Sequence, residues 1–407
     1  MADVISEQDF ASEATRFLEA NASPRVEISS GWGEGSDEVS ILPEKNASEE
    51  LVELEAARVW ARTRFDAGFG WITGPAELGG RALPRSYQRL YDGLEAKFDT
   101  PLMAVYGIGL GMVAPTILAH ATEPVRERYL PQMYRGDIVA CQLFSEPGAG
   151  SDLASVQARA TRDGDEWIVS GQKVWTSGAH LSDIGEIVCR TDPDLPKHKG
   201  LTAFVVDMHA QGVETRPLRQ MTGGASFNEV FFTEVRIPDS HRLGDVNGGW
   251  SVALTTLMNE RAAIGGGQIS GSGQTGTERL IELVRHEGRA TDPLVRQQLA
   301  DIYIAGRVAN YTNLRAMAKI AAGGLPGPEM SIAKMSLTAN MRRASALVSS
   351  VLGPKLVADS GEWGTYAWSR YVLGVPGMRI AGGTDEVLRN IVSERVLGMP
   401  KDPSPAR

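Results

Sequence analysis

Cysteine is scarce in this 407-residue chain, which contains only Cys141 and Cys189. Two cysteines are too few for a disulfide framework or a cysteine-based metal cluster, and they fit a reducing compartment. The six histidines lack the close spacing that is typical of metal ligands. We therefore expect a cytoplasmic protein without a metal site.

Excess positive charge and long apolar runs are missing as well. The formal net charge is −9, which disfavours non-specific binding to nucleic acid. No apolar run reaches the ~20 residues that cross a bilayer, and the N-terminus lacks the basic start and apolar stretch of a signal peptide. With 42% hydrophobic and 22% charged residues, the composition is that of a globular protein with a large core.

Common nucleotide-binding and nucleophile motifs are also lacking. The chain has no G-x-x-x-x-G-K-[ST] phosphate loop, and the glycines at 107–111 lack the third glycine and the β-α-β context of a dinucleotide fingerprint. No G-x-S-x-G elbow follows a predicted strand. We interpret the small residues at 107–111 and 265–273 as helix-packing surfaces.

The hydrophobic period changes twice along the chain. Helical spacing dominates up to Gly136, and the clearest early helix begins at a cap on Asn46 and ends at Gly68. From Ile138, short alternating segments separated by turns predict a small antiparallel β barrel or sandwich. Helical spacing returns at Gly249 in segments long enough to form a bundle.

This order predicts an α+β protein with separate helical and β domains. The predicted parts are an N-terminal helical domain (1–137), a middle β domain (138–246), a C-terminal four-helix bundle (247–400) and a disordered tail (401–407). Helices are predicted over 9–19, 46–68, 86–98, 103–121, 124–133, 250–263, 275–287, 292–322, 328–351 and 384–397. Strands are predicted near 156–160, 167–169, 184–189, 201–207 and 229–235.

The first informative segment begins where an apolar run ends in Ser-Glu-Pro-Gly-Ala-Gly-Ser-Asp, residues 145–152. Gly148 and Gly150 allow a close backbone approach, so N–H groups beside Ser145 and Ser151 could hold a planar polar ring or a phosphate. An ordinary Gly/Pro loop between strands is the alternative interpretation.

The same segment continues into residues 167–178, which predict two short strands around Ser170-Gly171. They end in an aromatic ring and two hydroxyl groups, at Trp175, Thr176 and Ser177. A packed tryptophan is the alternative interpretation of this part.

The second informative segment is residues 380–390. A Gly382-Gly383 turn leads into a helix that Thr384 caps, with Asp385 and Glu386 in the first turn, where they complement the helix dipole. Good caps are common, so a purely structural role is one interpretation. A helix N-terminus also suits a pyrophosphate.

Together the two segments resemble the signatures of the acyl-CoA dehydrogenase family. Arg389, Arg395 and Gly398 fit the family's C-terminal signature, and the resemblance extends over roughly residues 48–400. It implies a bacterial enzyme with non-covalent FAD between the β domain and the C-terminal helices. Such enzymes oxidise an acyl-CoA thioester to the trans-2-enoyl-CoA, in lipid metabolism, and pass electrons to an electron-transfer flavoprotein. The resemblance also implies a homotetramer or an α2β2 heteromer.

The family's functional positions can be carried over residue by residue. Gly382 stands where many members have their catalytic glutamate, so only its backbone N–H would serve, as a donor to the thioester carbonyl. A subset of the family places the base just before an arginine on the first helix after the barrel, which is Glu260 here. A solvated or ion-paired surface carboxylate is the alternative for Glu260. The resemblance implies FAD contacts from Phe144, Ser145, Gly150, Ser151, Trp175, Ser177, Thr384 and Glu386, and acyl-CoA contacts from Ser151 and Arg261.

The sequence departs from the family pattern at three places. One is Gly382; another is Ser349–Pro354, which replaces a Gln-x-x-Gly-Gly flavin segment. The third is the Arg-x-x-Phe segment that grips FAD from a neighbouring subunit, for which Arg279, Arg285, Arg289 and Arg296 are candidates. These departures leave two alternatives open: a catalytically silent partner in a heteromeric dehydrogenase, and a flavin monooxygenase or nitroalkane oxidase of the same fold.

Overall fold

The computed structural model describes two compact units, one made of residues up to 29 with 45–218 and 225–256, the other of residues 30–44, 219–224 and 257 onwards. None of the described helices is both long and apolar enough to cross a bilayer. The structure describes residues 5–26, 31–41, 45–265, 276–321, 327–328 and 330–401, with side chains at all of these except 261–265, 320 and 321.

Helices around an aromatic core form the first part of the first unit. The predicted start of the second helix is confirmed, because the Asn46 side chain accepts from the backbone of Ser48 and Glu49, and Glu49 bonds back. This reciprocal capping box satisfies backbone donors that the helix leaves unpaired. The helices are α1 (Glu7–Asn21), α2 (Ala47–Asp66), α3 (Arg85–Glu95), α4 (Ala114–His120) and α5 (Glu123–Arg135), and two-residue strands β1 (Ser23–Pro24) and β2 (Phe98–Asp99) pair with each other.

The single helix predicted over 103–121 is wrong. The segment consists of a 3-10 turn at Ala104–Tyr106, a π-helical turn at Gly109–Val113 and then α4. Pro115 lies in the first turn of α4, and because proline has no N–H it cannot continue the preceding α-helical hydrogen-bond ladder. The ladder therefore changes its period at this point.

An eight-stranded sheet completes the first unit. The strands are β3 (Ala140–Leu143), β4 (Arg159–Asp163), β5 (Glu166–Ser177), β6 (Ile184–Arg190), β7 (Leu201–Asp207), β8 (Val213–Leu218), β9 (Phe227–Pro238) and β10 (Arg242–Leu243). They lie in the order β10-β7-β6-β4-β5-β9-β8, with β3 also beside β6. Most neighbouring strands are antiparallel, as predicted, but β3 and β4 run parallel to β6.

Strand β5 is continuous, which corrects the prediction of two short strands around Ser170-Gly171. A Cβ atom on Gly171 would lie 2.6 Å from the Cβ of Ala158, and the pairing of β5 with β9 shifts register there. The glycine therefore marks a bulge where two strands approach closely, not a turn. Strand β8 was not predicted because it is an edge strand in which no residue is buried and Pro217 lies near its end.

The second unit is a helical bundle. The segment 31–41, for which no helix or strand was predicted, contributes Val39 and Ile41 to its buried core. A helix around Tyr371 was not predicted, and the final helix continues as a π-helical turn at Val392–Val396. The small-residue run 265–273 was interpreted as a helix-packing surface. Beyond Gly265 it lies outside the described residues. The helices are α6 (Gly249–Gly265, which begins in the first unit), α7 (Thr277–His286), α8 (Pro293–Ala321), α9 (Met330–Leu352), α10 (Trp368–Met378) and α11 (Asp385–Ile391).

A fully buried carboxyl group lies on β6 in the first unit. Glu186 Oε1 accepts from the Thr256 hydroxyl at 2.7 Å, and that hydroxyl lies 2.9 Å from the Thr116 hydroxyl. The other oxygen, Oε2, has no hydrogen-bond partner in the described part of the chain. Burial raises the pKa of Glu186 to about 8, although the Thr256 hydrogen bond opposes the shift.

We predict that Glu186→Gln makes the protein less sensitive to pH between about 5 and 8. The folded state holds the Glu186 proton more tightly than the unfolded state, so the free energy of unfolding falls as pH rises from the ordinary pKa of 4.5 to about 8. Urea denaturation at several pH values measures this slope. Glu214→Gln is the control. Arg216 lowers the pKa of Glu214, so the effect of Glu214 on the free energy of unfolding changes only below about pH 5. An unchanged slope in Glu186→Gln would refute the prediction.

Candidate active site

The predicted loop at 145–152 contains a tight turn in the first unit. Glu146 and Ala149 exchange two backbone hydrogen bonds of 3.0 Å. Gly148 and Gly150 are exposed, and no other atom lies within 4 Å of the position that a Cβ atom would take at either glycine. The backbone of the turn is therefore open at both glycines, and its contact with a ligand stays a prediction.

Trp175, on β5, is held beside this turn. The Val174 N–H donates to the Ser145 carbonyl at 2.9 Å. Trp175 itself has φ +61° and is 56% exposed, and its ring meets Phe227 edge-on. A strained backbone together with a large exposed ring is typical of a binding surface.

The two hydroxyl groups that follow Trp175 differ in burial. Thr176 is buried and its Oγ1 has no hydrogen-bond partner in the described part of the chain, whereas Ser177 is half-buried. Phe144 is buried with 5% of its surface exposed. Its predicted contact with a flavin would therefore come from its backbone, while Ser145 and Ser151 can use their hydroxyl groups.

The second predicted segment forms a turn and a helix start in the second unit. Gly382 and Gly383 have φ of +67° and +88°, in the region that favours glycine. The predicted cap is confirmed, because Thr384 Oγ1 accepts from the Val387 N–H at 3.2 Å. Glu386 is exposed at the start of the same helix.

A buried lysine that the sequence gives no reason to expect holds this second turn. Lys334 donates to the carbonyls of Arg379 and Gly383 at 3.1 and 2.9 Å, and to Asp385 Oδ1 at 3.0 Å. Asp385 also accepts from Thr338 at 2.8 Å and from Arg379 Nε at 3.0 Å. Burial alone would raise the pKa of Asp385, but these hydrogen bonds outweigh it and hold that pKa below its usual value.

The proposed base lies on α6. Glu260 is half-buried, and the side chain of Arg261 lies outside the described residues. Among the arginine candidates, Arg279 is buried between Trp32 and Trp363, with its guanidinium carbon 3.9 Å from the centre of the Trp363 ring. The altered segment at Ser349–Pro354 spans the end of α9 and the start of a 3-10 turn.

Each turn, taken by itself, has chemistry that suits a part of a flavin dinucleotide. The first combines an open glycine-containing backbone, serine hydroxyls and an exposed tryptophan, which fit a planar polar ring. The second offers a capped helix start with half-buried glycines. The residues present therefore fit FAD.

Family models match almost the whole chain in the expected order. They describe the N-terminal, middle and C-terminal domains of acyl-CoA dehydrogenase, over residues 37–137, 141–235 and 247–397. The chain belongs to the acyl-CoA dehydrogenase family. This confirms the resemblance and the predicted fold class.

Named relatives agree with the family. Acyl-CoA dehydrogenase IpdE1 of Mycobacterium tuberculosis is 36% identical over 356 residues, covering 86% of this chain and 89% of the relative. Acyl-CoA dehydrogenase FadE34 of the same organism is 41% identical over 289 residues, 71% of this chain, but the chain spans only 39% of its length. A solved structure described as "Tcur3481-Tcur3483 steroid ACAD" has a TM-score of 0.73 and 27% identity, over 97% of this chain and 98% of that one.

The enzyme class and the cofactor follow from the family. The relatives are named acyl-CoA dehydrogenases, which are oxidoreductases of the CH–CH group, and members of the family bind FAD. The roles predicted for single residues, and the domain boundaries at 137/138 and 246/247, stay predictions.

Proposed function

We propose that this chain dehydrogenates an acyl-CoA thioester between Cα and Cβ and that the electrons leave to an electron-transfer flavoprotein. The strained, exposed Trp175 beside the open turn carries the proposal, because an exposed aromatic ring next to open backbone suits a planar polar ring. FAD, when bound, supplies the two-electron acceptor. Glu260 removes the α proton, and the Gly382 N–H donates to the thioester carbonyl as negative charge develops on its oxygen.

Individual residues have distinct parts in this proposal. Ser145, Gly150 and Ser151 bind FAD from the first turn, with Trp175 and Ser177 beside the ring. Thr384 and Glu386 approach the cofactor from α11. Arg261 and Ser151 bind the acyl-CoA.

We infer that the acyl group is bulky and polycyclic. The support is the solved relative described as a steroid ACAD, which shares 27% identity over nearly all of both chains. A straight-chain acyl-CoA is the competing substrate class. Comparing how far a steroid acyl-CoA and a straight-chain acyl-CoA bleach the flavin at equal concentration distinguishes the two substrate classes.

The reaction is tested by anaerobic titration of the purified flavoprotein. We expect a yellow protein whose flavin absorbance is bleached by a steroid acyl-CoA without oxygen. Bleaching only by straight-chain thioesters would overturn the substrate class but not the reaction. Flavin that no acyl-CoA bleaches would indicate a monooxygenase or nitroalkane oxidase, and a colourless protein would indicate a silent subunit.

We propose further that α8 lies at a subunit interface, in a homotetramer or an α2β2 heteromer. Ile304, Val308, Tyr311 and Leu314 are 56–58% exposed, and their spacing places them along one side of α8. The description of one solved relative joins two protein names, Tcur3481 and Tcur3483, which supports the heteromer. A contiguous exposed apolar surface of this kind is typical of an interface.

We predict that Val308→Glu combined with Tyr311→Glu lowers the mass of the assembly, because buried carboxylates would disrupt the interface. Light scattering at micromolar concentration measures the mass, with or without a co-expressed second subunit. Leu102→Glu is the control, since Leu102 is 68% exposed in the first unit. An unchanged mass in the α8 variant would place the interface elsewhere.

A further inference from the structure

A buried ion pair lies directly beneath the first turn. Lys173 on β5 is fully buried and Glu146 is 8% exposed, with Lys173 Nζ and Glu146 Oε1 2.8 Å apart. Neither residue has a part in the function proposed above. Charges at this depth need an explanation, because they are rarely buried without a defined partner.

The hydrogen bonds of Lys173 connect the turn to the sheet. In addition to Glu146, the Lys173 ammonium donates to the carbonyl of Phe144 at 3.0 Å and to the carbonyl of Val188 at 2.8 Å. All three donors of the ammonium are therefore used. The carbonyl of Phe144 is fixed relative to β6, and the next carbonyl, of Ser145, is fixed to β5 through Val174.

Glu146 holds the other side of the turn. Its Oε1 accepts from the Ala158 N–H at 2.9 Å, and its Oε2 accepts from the Gln157 N–H at 2.6 Å. Glu146 is also the first residue of the turn that its backbone closes with Ala149. Apart from the ion pair itself, the four hydrogen bonds of this pair given above all go to backbone groups.

Such a pair fixes geometry better than it stabilises the fold. Replacing a buried ion pair by neutral groups of similar size is often neutral or stabilising. A network in which all donors and acceptors are used nevertheless specifies one backbone conformation. The backbone specified here is Phe144–Ala149, the segment to which the function proposed above assigns cofactor contacts.

We propose that Lys173 and Glu146 are positioning residues for FAD: they hold the turn in the conformation that the isoalloxazine and its neighbouring groups require. The proposal rests on the FAD-dependent function above. It predicts that the pair sets cofactor affinity independently of fold stability.

Two variants separate these effects. Lys173→Met leaves the Glu146 charge buried without its counter-ion, so both stability and FAD affinity fall. Adding Glu146→Gln removes the stranded charge and keeps an acceptor oxygen for one of the two backbone N–H groups of Gln157 and Ala158, so the melting temperature of the apoprotein recovers in part. The carbonyl of Phe144 still lacks its charged donor, so FAD binding stays about tenfold or more weaker than in the wild type.

The experiment titrates FAD into apoprotein, with its partner subunit if one is needed, and measures apoprotein melting in parallel. Arg64→Met is the control, because it breaks a partly buried ion pair with Glu95 among the N-terminal helices; its melting temperature falls while FAD affinity stays unchanged. If affinity in the double variant returns to within threefold of the wild type, the pair is merely structural and the proposal is overturned. A wild-type protein that binds no FAD would instead contradict both this proposal and the function.

Discussion

Replacing Glu260 by glutamine is expected to slow flavin reduction by acyl-CoA about 10²–10⁴-fold, the range for a lost general base. Gln has nearly the same shape but cannot accept the α proton, so FAD and acyl-CoA should still bind. The expectation rests on Gly382, which leaves the other family position for the base without a side chain. Stopped-flow measurement of flavin bleaching under anaerobic conditions gives the rate directly.

The control for this variant is Glu278→Gln, which changes an exposed glutamate in the first turn of α7. It should reduce flavin at the wild-type rate. If Glu260→Gln also reduced flavin at a nearly normal rate, Glu260 would not be the base, and Asp385 and Glu386 would become the candidates. Asp385 is the weaker of these, because its carboxylate is already bonded to Lys334, Thr338 and Arg379.

A second site for the base gives a stricter test. Adding Gly382→Glu to Glu260→Gln should recover part of the lost rate if both positions serve the same α carbon. Recovery will be incomplete because Gly382 has φ +67°, where a residue with a Cβ atom is strained by about 1–2 kcal/mol. No recovery, with FAD still bound, would show that a carboxylate at this position does not reach the proton.

Local signals in the sequence predict the elements that depend on neighbouring residues. Asn46 and Glu49 form the expected capping box, and Thr384 caps the last helix. The open turn near Gly148 also follows from its sequence, since proline and glycine restrict or free the backbone locally. Where a local rule was ambiguous the prediction failed: Gly171 is compatible with both a turn and a bulge, and only its contact with Ala158 decides between them.

The buried lysines could not be predicted in this way. A lysine in an alternating strand or an amphipathic helix normally indicates an exposed position. The buried Lys173 pairs with Glu146, which lies 27 residues before it in the sequence, and the buried Lys334 pairs with Asp385, which lies 51 residues after it. Such pairing depends on the tertiary fold. The ligand-contact residues named from the sequence stay predictions, whereas the buried lysines that hold the two turns were missed.

The largest expected loss of stability comes from Lys334→Met. Lys334 is 1% exposed and carries the hydrogen bonds to Arg379, Gly383 and Asp385. Its removal leaves two partly buried carbonyls without this donor and a buried carboxylate with only Arg379 as its counter-ion. Breaking a buried pair on one side costs about 3–5 kcal/mol, and we expect the lower end of this range because Arg379 remains. Urea denaturation measures the loss.

A comparison with Lys355→Met shows whether burial or charge pairing is responsible. Lys355 also contacts two acidic groups, Glu287 and Glu362, but its side chain is 39% exposed. Water can replace the lost ammonium there, so this variant should unfold at nearly the wild-type urea concentration. Lys334→Met should unfold much earlier and also bind FAD more weakly, since the Gly383 carbonyl is no longer held. If the two variants lost equal stability, the cap at Thr384 alone would hold the turn, and Lys334 would be a replaceable part of the second unit.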